Sequence, residues 1–237
     1  MSNGLRFATA ISPPPTDGLF HVKHDAYGPE AFQADTGVSR ETLDRLKAYA
    51  DLLLQWNARI NLVGKSTVAE LWWRHMLDSA QLYPFLPNPI PTLVDMGSGA
   101  GFPGLVLAIM GVSHAHLIEG DQRKAAFLRE AARVAGTQVT IHAKRLDAVK
   151  ALKAGIITAR ALAPLAELLD LAAPFASHET VHIYLKGQNI EGELTATRKI
   201  WTMRAEEFPS RTNPAATILR LREVRRDGRT GSAPGPA

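Results

Sequence analysis

The chain has 237 residues, of which 46% are hydrophobic and 21% charged, and a net charge of +4; that is enough for one α/β domain with a full core and a small appendage. It has no cysteine, which excludes disulfides, thiolate metal sites and a cysteine nucleophile and fits a reducing, cytoplasmic setting. No apolar run approaches the roughly 18 residues of a membrane span, the start lacks the basic-then-apolar order of a signal peptide, and the mildly basic balance suits a polyanionic partner.

Residues 1–37, including SPPPTDG, show no period and read as a mostly disordered lead-in. Ser39 is placed to cap a helix running to about Arg59, with Leu43, Leu46, Ala50, Leu53, Asn57 and Ile60 recurring at steps of three and four. Thr67 and Glu70 form a capping-box pattern for a second helix reaching about Leu82. PFLPNPIP then ends a helical segment and linker spanning residues 38–90.

From residue 91 to 225 strands and helices alternate. TLVDM, HAHLIEG, QVTIHAK, GIITARA and TVHIYLKG read as five strands. Between them FPGLVLAIMG, RKAAFLREAARVAG (closed by Gly136) and APLAELLDLAAPF read as helices. EGELTATRK reads as a short helix, and TMRAEEF and ATILRLREV as a terminal pair of strands. The alternation predicts an α/β fold, a mostly parallel Rossmann-like sheet with helices on both faces and an antiparallel edge. Residues 226–237 read as a disordered tail.

The stretch TLVDMGSGAGFPG, residues 92–104, concentrates the chemistry. Gly97, Gly99, Gly101 and Gly104 follow the first strand, where positive φ and close ligand approach are useful. GAGFPG matches the dinucleotide pattern G-x-G-x-x-G, so NAD(P) is one candidate ligand. D-x-G-x-G-x-G from Asp95 matches the S-adenosylmethionine pattern, so that cofactor is the other. Charge favours the second. A pyrophosphate would be repelled by Asp95, whereas an amino group and a sulfonium would be attracted. Glu119, at the end of the second strand, can accept two ribose hydroxyls in either case.

Two cations follow buried-looking strands. Arg160 is costly to bury unpaired, which points to a site role, catalytic or cofactor-binding, the alternative being a plain ion pair. Lys186 is the candidate for a phosphate or base contact, the alternative being a solvated strand-end lysine. Arg74 and His75, in RHMLDS, are further candidates for a nucleic-acid contact; His75 could instead hydrogen-bond Asp78 or Ser79. RLREVRR is either part of an RNA-binding face or a charged strand edge. No HxH or HExxH cluster calls for a metal.

WNARINLVG, WRHMLDSAQL, LVDMGSGAGFPGLVLAI, LIEGDQRKAAFLREAARVAG, ITARALAPL and YLKGQ, in this order, resemble the bacterial 16S rRNA guanine-N7 methyltransferase family, RsmG or GidB, over residues 40–222. The resemblance implies a class I methyltransferase sheet with an N-terminal helical segment. It implies S-adenosylmethionine as cofactor and N7 of one guanine in the decoding-region loop of 16S rRNA as methyl acceptor. Carried over by position, it implies cofactor contacts at Gly97, Phe102, Glu119, Leu146, Asp147 and Arg160. Its partner would be 16S rRNA, the small ribosomal subunit or an assembly intermediate. Apart from the resemblance, the chain is expected to be a monomer in the cytoplasm. The chain departs from the family in carrying Glu119 where many members have Asp, Ala154-Gly155 where an acid usually precedes the fourth strand, and a longer lead-in. A methyltransferase of a small molecule or protein, and a non-catalytic RNA- or nucleotide-binding module, are the alternative functions.

Overall fold

The computed structural model of the protein describes residues 27–150 and 152–227. Residues 1–26 and the tail from 228 onward lie outside the described residues. Seven strands make one sheet in the order β3-β2-β1-β4-β5-β7-β6. They are β1 Leu93–Met96, β2 Ala115–Ile118, β3 Val139–His142, β4 Ile156–Arg160, β5 Val181–Lys186, β6 Trp201–Pro209 and β7 Thr217–Arg226. β1 to β5 run parallel. β7 pairs antiparallel with β5, and β6 with β7. The terminal hairpin therefore inserts its second strand next to β5 and leaves its first at the edge.

The helices explain the hydrophobic runs. β1 is buried at every position, as a central parallel strand must be when both faces are covered. On one face lie α4 Gly104–Ile109, α5 Gln122–Val134 and, outside them, α2 Arg40–Asn57. On the other lie α6 Leu165–Ala172 and α7 Ile190–Thr197. Ser39 caps α2 as expected, accepting from Thr42 N at 3.1 Å. Asp121 caps α5, accepting from the backbone N–H of Arg123 and Lys124. Leu43, Leu46, Tyr49 and Leu53 of α2 join Phe102, Leu105, Phe127 and Leu128 in one core, so the helical segment and the glycine loop share their packing.

Two expectations are corrected. The aperiodic lead-in ends in a helix, α1 Pro29–Thr36, closed by Gly37 at φ 67°. Eight residues are too few for a period to show. Tertiary contacts hold α1: Phe32 is fully buried against Trp72, and Tyr27 hydrogen-bonds Asp35 and meets Trp73 edge-on. The second helix does not begin at a Thr67–Glu70 capping box. Lys65–Thr67 is a 3₁₀ turn in which the Thr67 hydroxyl donates to Gly64 O. The helix proper is a π-helix, Trp72–Leu77, passing into a single turn, α3 Asp78–Ala80. Such π segments occur disproportionately at functional sites, and this one carries Arg74 and His75.

Candidate cofactor and methyl-transfer site

The glycine loop leaves β1 at the point where the sheet order reverses between β1 and β4, the usual ligand position in this architecture. Gly99 sits at φ +56°, and a Cβ placed there would meet nothing closer than Gly97 O at 3.9 Å. Its N–H donates to Glu119 Oε2 at 2.8 Å, while Glu119 Oε1 accepts from Asp121 N at 2.8 Å. A carboxylate at the end of β2 thus stands against an open backbone cradle. That pairing suits a ligand with a ribose diol, and the residues fit S-adenosylmethionine. Gly97 and Gly101 complete the loop, against Leu162 and Leu105 respectively. Leu146 and Asp147 lie in a 3₁₀ turn after β3, with Asp147 exposed and paired to Arg145 at 3.5 Å.

Gly104 has a different task from the one its place in the motif suggests. It is the first residue of α4, without positive φ. A Cβ there would lie 2.5 Å from Asp95 Cβ and 2.5 Å from Leu117 Cδ2. Its glycine lets α4 close onto β1 and β2. That closure corrects the placement of Asp95, expected at the entrance facing the cofactor's cation. Asp95 is fully buried beneath the loop; Oδ1 accepts from Thr158 Oγ1 at 2.7 Å and Oδ2 has no hydrogen-bond partner.

Burial, partly opposed by the Thr158 hydrogen bond, raises the Asp95 carboxyl to about 6. A raised carboxyl leaves stability intact below the unfolded-state value of 3.8 and lowers it as pH rises through 6. Wild type should therefore lose on the order of 3 kcal/mol relative to Asp95→Asn between pH 4 and pH 7. Urea unfolding of both proteins across that range measures it. A constant gap between them would show that Asp95 titrates normally.

At the end of β4, Arg160 joins the helical segment to the loop. Its Nη1 donates to His75 Nδ1 at 3.0 Å, to Arg74 O at 3.2 Å and to Asp78 Oδ2 at 3.3 Å. Its guanidinium lies 5.0 Å from the Phe102 ring, on which His75 also stacks at 5.1 Å. Since Arg160 can only donate, His75 Nδ1 accepts and Nε2 carries the proton, donating to Thr67 Oγ1 at 2.9 Å. Thr67 in turn donates to Gly64 O. Burial first, then Arg160, holds the imidazole down at about 3, so the ring is neutral and both nitrogens are engaged. This replaces the expected hydrogen bonds from the ring to Asp78 or Ser79; Ser79 Oγ bonds only the backbone oxygen of His75. Arg74 pairs with Glu70 at 3.4 Å. Phe102 is buried, so its ring supports the loop from below.

Lys186 is corrected in one respect: it is not a solvated strand end but a buried cation. Its ammonium donates to Ala163 O at 2.9 Å and pairs with Glu193 Oε2 at 2.8 Å. The same Glu193 oxygen accepts from Leu165 N, the first residue of α6. Lys186 therefore ties down the turn between β4 and α6, whose Leu162 lies over Gly97. Removing one partner of a buried pair strands the other. Lys186→Met should lower unfolding stability by about 3 kcal/mol, against a much smaller loss in Lys186→Met/Glu193→Gln; equal losses would mean the two are uncoupled.

Tyr49 was not anticipated. Fully buried on α2, its hydroxyl donates to Ala100 O at 2.5 Å. A tyrosine one step from Leu46 on an apolar stripe requires a partner for its hydroxyl, and that was the available signal. Here the partner is the glycine loop.

The family model for rRNA small subunit methyltransferase G, GidB, matches residues 42–216. Curated relatives named ribosomal RNA small subunit methyltransferase G include those of Rhodospirillum rubrum, 53% identical over 84% of this chain and 98% of that one, and Rhodospirillum centenum, 57% identical over 81% and 89%. Among solved structures, M. jannaschii TYW2 in complex with AdoMet aligns at a TM-score of 0.51 with 16% identity, covering 72% of this chain and 80% of that one. P. horikoshii TYW2 in complex with MeSAdo aligns at 0.51 with 17% identity, covering 70% and 65%. At such identities these structures speak to the fold, which they share.

Proposed function

The chain belongs to the rRNA small subunit methyltransferase G family, and from that premise we propose that it methylates N7 of a single guanine in the decoding-region loop of 16S rRNA. S-adenosylmethionine is its cofactor and supplies an electrophilic methyl group. The observation that carries the reading is the open Gly99 cradle held by Glu119 at the sheet's reversal point. Glu119 orients the loop and offers its carboxylate to a ribose. Tyr49 and Phe102 fix the loop from beneath.

The polar groups around this loop fit an acceptor that needs no general base. His75 is neutral with both nitrogens engaged, Asp95 is sealed, and Arg160 is a permanent cation. Guanine N7 already carries a lone pair and no proton. Its methylation asks the protein for alignment and water exclusion, and alignment alone can supply roughly 7–11 kcal/mol. Arg160, fixed through Asp78 and His75, shapes the β4 side of the site, where the base would enter.

The test is transfer of a labelled methyl group from S-adenosylmethionine to small subunits from cells lacking the enzyme. Label should enter the rRNA fraction. Label confined to ribosomal proteins, or no transfer, would overturn the reading.

A further inference from the structure

Of the side chains read as RNA contacts, His75 and Lys186 are buried and bonded inside the protein, and Arg74 is exposed and paired with Glu70. Further exposed charge lies elsewhere on the same sheet edge. Two adjoining clefts of about 230 and 250 Å³ share Ile60: the first lies between the loop after α2 and the start of α5, and the second is lined by the end of α2 and the residues just after it. Arg59, Arg123 and Lys124 supply three cations and Asn61 an amide, while Trp56 and Ile60 supply apolar surface. The sole acid in the lining is Asp121, which is occupied as the α5 cap and pairs with Arg123 at 3.4 Å. No ion pair involves Arg59 or Lys124 among the described residues.

The clefts are rigidly placed beside the cofactor site. Asn57 Oδ1 accepts from Leu62 N and Val63 N, which fixes the loop carrying Arg59. Trp56 is half-buried against Phe127, ring centroids 5.6 Å apart. Asp121 N donates to Glu119, the residue that also holds Gly99. Cations interleaved with a flat aromatic ring and an amide are what a single-stranded RNA requires: charge for the backbone, a face for stacking, and hydrogen bonds for a base edge.

We propose that this cleft seats the single-stranded rRNA segment flanking the methylated guanine. The inference rests on the proposed function and adds where the substrate strand is held. The target base would reach the β4 side of the loop while its neighbours lie across the loop toward α5.

The experiment compares wild type with Arg59→Ala/Lys124→Ala for binding to small subunits from cells lacking the enzyme at several salt concentrations, with S-adenosylmethionine affinity measured in parallel. Lys150→Ala/Lys153→Ala removes the same charge from the exposed stretch leading into β4. Two lost phosphate contacts should reduce the salt slope by about 1.4, at roughly 0.7 per single-strand contact. The cleft variant should show that reduction and weaker RNA binding, the control neither, and cofactor affinity should stay within twofold in both. An unchanged slope in the cleft variant, or an equal fall in the control, would overturn the proposal. Wild type that neither binds nor methylates those small subunits would instead defeat the proposed function, and this proposal with it.

Discussion

Gly99→Val is expected to yield a folded protein that has lost S-adenosylmethionine. The position combines positive φ with open space: φ is +56°, and the nearest atom to a Cβ placed there is the loop's own Gly97 carbonyl oxygen, 3.9 Å away. The left-handed backbone costs a β-branched residue roughly 1–3 kcal/mol, which a domain with this core can absorb. The branched side chain would then fill the volume the ligand needs. A backbone cradle has no flexible side chain to give way, so affinity should fall by roughly 100-fold, about 3 kcal/mol. Calorimetric titration with S-adenosylmethionine and S-adenosylhomocysteine measures both losses, which should be equal because the obstruction lies under shared atoms. Wild-type affinity in a folded Gly99→Val protein would remove the cofactor from this loop.

Gly104→Ala, a smaller change five residues on, should act on the fold instead. Its methyl would sit 2.5 Å from Asp95 Cβ, 2.5 Å from Leu117 Cδ2 and 2.6 Å from Asp95 Oδ2. None of these can retreat cheaply. β1 is clamped between β2 and β4, and α4 is buried along its whole length. Overpacking of a close-packed core ordinarily costs about 1–3 kcal/mol, and three sub-contact distances place this substitution at or above the upper end. Gly99→Ala adds the same methyl into open space and should cost only its backbone strain, about 1 kcal/mol. Urea unfolding of the two alanine variants tests the contrast. Equal stabilities would show that α4 can shift away from β1.

The contrast also explains what could be read in the amino-acid string. The alternation of apolar strands and amphipathic helices fixes the sheet because both periods are local, and so do Ser39 and Gly136 at their helix ends. The four glycines mark the loop by composition, but not their separate tasks. Gly99 and Gly104 differ through what lies across the sheet from them, Glu119 in one case and Leu117 with Asp95 in the other. Arg160 and Lys186 look alike as cations ending buried strands. One meets the π-helix and the other the α6 turn, and those partners come from segments 85 and 23 residues away. Only folding brings them into register. The π-helix escaped because its extra residue per turn departs from the 3.6-residue template, and α1 because two turns held by Phe32 have no period to detect.

The central claim is that this chain methylates guanine N7 in small-subunit rRNA. The most direct measurement is digestion to nucleosides of small-subunit rRNA labelled by the protein with methyl-labelled S-adenosylmethionine. The account predicts label in 7-methylguanosine alone, saturating at one methyl group per subunit and mapping to the decoding-region loop. Label in another nucleoside, or spread over many guanines, would contradict it.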